Sequence, residues 1–293
     1  MSRKLVSFDW AMKKILRQKA NFVILEGFLT ELLKFDVKIE EILESEANQE
    51  TEDDKFNRVD LLAKNESGEL ILVEIQYNDE IDYFQRILYG TSKLITEYIK
   101  KGRGYTNIKK VYSINIVYFE IGQGDDYVYH GTTIFKGLHK EDILTPSSIQ
   151  KDKFNIETIS DIYPEYYILR VNRFNDIAKS SLDEWIYFLK NEEIENSFKA
   201  KGLNEAKEVL DVLKLQPKDR AVYERKEDNR RYKESLFYTA EIKGIEKGKR
   251  ERDIEIVKSS LEQNIDIDTI SLITGLSIKE IQNIDKNNFK GKK

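Results

Sequence analysis

The chain has 293 residues, 40% of them hydrophobic, 34% charged and 11% aromatic, with a formal net charge of −5. That is enough for one large domain plus an appendage, and too rich in core-forming residues for a disordered protein. There is no Cys, and the two His, His130 and His139, fit no zinc spacing, so disulfides, thiolate metal sites and cysteine nucleophiles are excluded and any metal needs oxygen ligands.

No apolar run reaches the roughly 20 residues of a membrane helix, and the start "MSRKLVSFDWAMKK" places charges where a signal peptide has its apolar core. A cytoplasmic protein with no membrane partner is expected. Charge is uneven: Lys218 to Arg252 holds twelve basic and eight acidic residues.

Within "FDWAMKKILRQKANFVILEGFLTELLKF", Phe22, Leu25, Leu29, Leu32 and Leu33 recur at helical spacing and predict one or two N-terminal helices. "VKIEEILESEA", Val37 to Ala47, alternates at its start and is placed as a first strand. "RVDLLAKNESGELILVEIQ", Arg58 to Gln76, predicts a hairpin, two strand-forming runs around an Asn-Glu-Ser-Gly turn. Apolar residues at 81, 84, 88, 95 and 98 predict an amphipathic helix from Ile81 to Ile99, opened by Asn78 or Asp79. "KKVYSINIVYF" predicts a buried strand, "IGQGDD" a turn and "YVYHGTTIF" its antiparallel partner, in which His130 is a structural residue. "EYYILRVNRF" predicts another strand, and Ser181-Leu182-Asp183-Glu184 matches a capping box for a helix through "EWIYFLKN".

After Asn196 the chain becomes mostly charged and helical, an extended arm suited to pairing. The end, "IDIDTISLITGLSIKEIQNI", has the layout of two short helices around Gly275, with Ser277 capping the second. Two regions follow: 1–195, an α/β domain, and 196–293, a charged helical region ending in a helix-turn-helix-like hairpin. Only Lys279 gives that second helix a cation, so packing or oligomerisation suits it better than DNA reading.

The hairpin carries an acid on each strand, Asp60 and Glu74. A turn at 65–68 places Asp60 opposite Val73 or Glu74. In the second register Asp60, Glu74 and Gln76 share one face, because side chains alternate along a strand. Opposed carboxylates about 5 Å apart repel by about 3 kcal/mol at an effective dielectric near 20, so the pair calls for a cation, a shared proton or water. Lone acids on strands are commonly solvated, but "LILVEI" is apolar on both faces, which predicts burial. Carboxylates, a backbone carbonyl and water are the ligands of Mg²⁺ or Mn²⁺. On the following helix, Arg86, Tyr89 and Lys93 fall on one side, placed for phosphate contacts.

These motifs resemble the PD-(D/E)XK nuclease family transposases, the branch of Rpn-type recombination-promoting nucleases. Asp60-Leu61-Leu62 and Glu74-Ile75-Gln76 match its "D-x-L" and "E-x-Q", and Arg86 and Tyr89 its Arg then Tyr. Asp9-Trp10-Ala11-Met12-Lys13 matches "D-x-x-F-K" with Met for Phe, Gly244 to Gly248 matches "G-I-E-K-G", and Ile273 to Ile281 matches "I-T-G-L-S-x-E-E-I" with Lys279 for the first Glu.

The resemblance implies a restriction-endonuclease-like α/β core, a mixed sheet flanked by helices, with a helical C-terminal extension. It implies a Mg²⁺-dependent DNA endonuclease, with Mn²⁺ as a substitute and no nucleotide cofactor, associated with recombination or transposition. Asp60, Glu74 and the Ile75 carbonyl would hold the metal, and Gln76 would stand where most of the superfamily has a catalytic Lys. Asp9 and Lys13 are placed near the site by the family pattern alone. Two other classes compete: a non-catalytic DNA-binding or protein-interaction module on the same fold, and a structural homo-oligomer paired through the C-terminal helices.

Overall fold

The computed structural model describes residues 5–43, 60–98 and 105–290. The chain divides into two compact units, Met1–Arg220 and Ala221–Lys293.

The first unit is built on a mixed sheet of β1 (Ile39–Leu43), β2 (Leu61–Asn65), β3 (Leu70–Gln76), β4 (Val111–Val117), β5 (Val128–Gly131) and β6 (Glu165–Arg170). The strand order is β1-β2-β3-β4-β6-β5. Strands β1, β2 and β3 form an antiparallel meander, β3, β4 and β6 run parallel, and β5 lies antiparallel on β6. The helices of this unit are α1 (Phe8–Lys14), α2 (Phe22–Leu33), α3 (Tyr83–Tyr98), α4 (Ser148–Phe154), α5 (Ser181–Asn191) and α6 (Leu203–Val209).

Both faces of the central strands are apolar, and both are covered. Leu62, Leu70, Leu72 and Val111 pack against Leu94 of α3, and Val117 against its Tyr83 and Ile87. On the other face Ile71, Val73, Ile114 and Ile116 are equally buried. Helices α1, α2 and α5 meet in an aromatic cluster of Phe8, Phe28, Trp185 and Phe188, with edge-to-face or tilted rings at centroid separations of 5.5 to 6.1 Å. Close approach of α2 to the turn before α6 requires Gly27, since a Cβ there would lie 2.1 Å from the Lys201 carbonyl oxygen.

Several expectations need correction. "YVYHGTTIF" is strand only over Val128–Gly131 and pairs with β6, not β4. Strand β4 is buried along its whole length, and the apolar Tyr166-Tyr167-Ile168-Leu169 run completes it better than half-exposed β5, which takes the margin of the sheet. "EYYILRVNRF" ends as a strand at Arg170 and turns into a short 3₁₀ segment. The capping box of α5 is made by Ser180 with Asp183, one residue earlier than predicted.

Helix α3 starts at Tyr83. Its first turn is closed by Arg86 N–H on the Asp82 carbonyl, so neither Asn78 nor Asp79 opens it. Its inner face is Tyr83, Ile87, Thr91 and Leu94, whereas Ile81, Phe84 and Leu88 are exposed. The first strand is found at Ile39–Leu43; Glu44 to Ala47, Arg58 and Ile99 lie outside the described residues. His130 accepts a structural role, its Nε2 lying 2.9 Å from Glu165 and its ring stacked on Tyr167 at 4.4 Å.

The helix α7 (Pro217–Glu262) runs 46 residues, and most of it belongs to the second unit. Its end packs with α8 (Ile267–Thr274) and α9 (Ile278–Lys290) around Val257, Ile270 and Ile281. Asp266 caps α8 and Gly275, at φ +70°, ends it. Ser277 and Glu280 exchange hydrogen bonds at the start of α9.

Candidate functional site

The hairpin turn fixes the register. Gly68, at φ +79°, donates its N–H to the Asn65 carbonyl at 2.8 Å, and Leu61 then stands opposite Val73. Asp60, just before β2, therefore comes level with Glu74.

Ile75 pairs with Ile116 of β4, but on its other side, beyond the start of β2, it has no strand partner among the described residues, and Asp60 fills that place. Its Oδ2 accepts the Ile75 N–H at 2.7 Å, and its Oδ1 meets Lys13 Nζ at 2.8 Å. Lys13 also meets Asp9, one turn earlier on α1, at 2.6 Å, and Arg17 donates to the Asp60 carbonyl at 3.0 Å. Burial opposes the charge on Lys13, but Asp9 and Asp60 outweigh it and hold the ammonium above its ordinary pKa.

Glu74 is 8% exposed. Burial pushes its carboxyl up to about 7; Arg86 pulls it back, while Asp60 and Glu80 add to the rise. Tyr83 reaches it from the first position of α3 with a hydrogen bond that favours the carboxylate. The same hydroxyl lies 3.5 Å from Asn115 Oδ1, and Asn115 is level with Glu74 on the neighbouring strand. Burial and Glu74 raise the Tyr83 phenol far above its ordinary pKa, so it stays a donor.

Glu80, in the turn before α3, holds the next two groups. Gln76 Nε2 donates to its Oε1 at 2.5 Å, and Arg86 Nη1 donates to both of its oxygens at 2.8 and 2.9 Å. Tyr89 is 56% exposed one turn on, and Lys93, a further turn away, lies 3.8 Å from Glu97. The structure thus gathers Asp9, Lys13, Asp60, Glu74, Ile75, Gln76 and Arg86 at one end of β3, while Tyr89 and Lys93 extend from it along α3. Arg17, Glu80, Tyr83 and Asn115 join the site without having been singled out by the sequence. The one signal for Glu80 is its position four residues after Gln76.

The donor set suits a hard divalent cation. Gln76 gives its carbonyl to Tyr118 N–H, toward β4, so the Ile75 carbonyl points to the opposite edge, where its own N–H meets Asp60. Glu74 is a buried carboxylate whose pKa is raised chiefly by its burial. Among the described residues there is no group of three or more His, Cys, Asp or Glu side chains that could hold a metal ion. No helix among the described residues is long and apolar enough to cross a membrane.

A family model described as PD-(D/E)XK nuclease family transposase matches residues 6–240. No curated protein and no solved structure matches the chain.

Proposed function

Since the chain belongs to the PD-(D/E)XK nuclease family transposases, whose restriction-endonuclease-like α/β fold its mixed six-stranded sheet and helices represent, we propose that it is a metal-dependent DNA endonuclease hydrolysing phosphodiester bonds in recombination or transposition. The observation that carries this is Glu74, a buried carboxylate with a pKa near 7, level with Asp60 at the edge of β3. Asp60, Glu74 and the Ile75 carbonyl would hold the cation, Mg²⁺ or in its place Mn²⁺. When bound, it would lower the pKa of a water and offset charge on the scissile phosphate.

The chain's own groups do the rest. Glu74 gives up its proton as positive charge enters the site, and Tyr83 keeps donating to the carboxylate that remains. Gln76 offers an amide to orient water but no charge, which predicts slower chemistry than a Lys there. Arg86 provides a phosphate grip once Glu80 releases it, and Tyr89 and Lys93 extend that contact along α3.

The test is cleavage of supercoiled plasmid with Mg²⁺, Mn²⁺ or EDTA by wild type, Asp60→Ala and Glu74→Ala, each confirmed folded by circular dichroism. Loss with EDTA and in both variants supports the proposal; cleavage by Glu74→Ala at the wild-type rate removes it. A second reading, a non-catalytic DNA-binding or protein-interaction module, has one observation in its favour. Asp60 is satisfied by Lys13 and Ile75, and Gln76 and Arg86 by Glu80. It predicts DNA binding without cleavage, undiminished by either alanine.

A further inference from the structure

Between Asp9 and Glu26 the chain holds four basic residues and no acidic one, against a net charge of −5 for the whole. Lys13 spends its charge on Asp9 and Asp60. The other three, Lys14, Arg17 and Lys19, form no ion pair among the described residues. Lys14 ends α1, where a cation also offsets the helix dipole, but Arg17 and Lys19 lie past the helix end and have no such use. The turn that carries them is fixed. Ile15 and Leu16 both donate their N–H to the Ala11 carbonyl at 2.8 Å, and Asn21 Nδ2 reaches back to the Ile15 carbonyl at 3.0 Å. Leu16 is fully buried, while Lys14 and Lys19 are exposed. Arg17 Nη2 donates to the Asp60 carbonyl at 3.0 Å, an uncharged acceptor. Arg17 therefore stands against Asp60 with no carboxylate bonded to it.

We propose that Lys14, Arg17 and Lys19 hold the phosphate backbone of the DNA on the Asp60 side of the site, a surface separate from that of α3; this rests on the nuclease reading. Charge and continuity choose the occupant. The turn joins the site through Asp60, and a polyanion suits three cations that the protein leaves unmatched there, because each phosphate they neutralise frees a counterion. On α3 the balance differs: Arg86 is matched by Glu80, and Lys93 lies 3.8 Å from Glu97. A matched cation gains little from a phosphate until its carboxylate lets go. The turn therefore makes the first contact and α3 the later one. Arg17 approaches Asp60 from beyond α1 while Arg86 acts on Glu74 from α3, so the two sets flank the carboxylates. Backbone contacts on both sides fix the strand across them without reading its sequence.

The test is binding of a fluorescein-labelled duplex, read by anisotropy over a range of salt, in a full-length Glu74→Ala background that prevents cleavage. Adding Lys14→Gln with Lys19→Gln is expected to weaken binding and to make log Kd against log salt shallower by about 2, and adding Arg17→Gln alone by about 1. Lys140 and Lys153 are also exposed, in the chain between β5 and β6; Lys140→Gln with Lys153→Gln removes the same charge and is expected to leave the slope as it was. An unchanged slope in the Lys14 and Lys19 pair, an equal change in the Lys140 and Lys153 pair, or a parent that binds no duplex would each overturn the proposal. The exposed Lys14 and Lys19 decide the matter even if Arg17→Gln fails to fold. Plasmid cleavage by the chain that retains Glu74 separates this surface from the nuclease reading. An unchanged slope beside metal-dependent cleavage sinks the surface alone, and the expected slopes without cleavage sink the nuclease alone.

Discussion

Glu74→Gln should change how stability depends on pH. The unfolded chain releases this proton near 4.5, whereas burial holds it on the folded chain up to about 7. Between those values the folded state binds more protons than the unfolded one, so the contribution of Glu74 is fully present below 4.5 and is lost as pH rises through 7. At about 1.4 kcal/mol per pH unit, that interval amounts to about 3 kcal/mol. Glutamine fills nearly the same volume and does not titrate. Urea denaturation in EDTA, from below pH 4.5 to above pH 7, should therefore show wild type losing about 3 kcal/mol relative to Glu74→Gln. Other titrating groups act on both proteins alike and cancel in the difference. Two curves that run parallel to within about 1 kcal/mol would mean that Glu74 is not a desolvated carboxylate, and the observation that carries the proposed function would go with it.

Three further outcomes are expected. Lys13→Met leaves the carboxylates of Asp9 and Asp60, 7% and 14% exposed, without their shared cation; because Lys13 is itself half exposed, the cost at neutral pH should be about 2 kcal/mol by urea denaturation. Glu80→Ala releases Arg86, and in a Glu74→Ala background, which prevents cleavage, the slope of log Kd for DNA against log salt should steepen by about 1 in fluorescence anisotropy. Gly27→Ala drives a methyl into the Lys201 carbonyl and should lower the urea-derived stability by at least about 2 kcal/mol.

The proximity of Asp60 and Glu74 is legible in the sequence because a hairpin is local: turn length and strand alternation limit it to two registers, and Gly68 selects one. Helix α2 is legible for the same reason, its buried residues recurring every three or four positions. The phase of α3 is harder to see. Its buried face includes Tyr83 and Thr91, whose hydroxyls disguise it, while the exposed Ile81, Phe84 and Leu88 imitate an inner stripe. Glu80 belongs to no periodic pattern, because the turn that carries it is shaped by Gln76 and Arg86 together. The partner of β5 is a choice between distant strands, and the two candidate edges differ only in how much apolar surface each covers.

The placement of β6 between β4 and β5 has a consequence for synthesis. Chain order is β4, β5, β6, but β5 has no docking edge until β6 is in place. A ribosome that has released residue 131 but not yet residue 165 holds a nascent chain in which one side of β4, buried along its whole length in the finished fold, lacks its hydrogen-bonding neighbour. In that window the exposed edge is open to pairing with another chain. Completion of the sheet depends on a late segment inserting into the middle, so premature termination anywhere in this interval should yield insoluble product rather than a smaller folded domain.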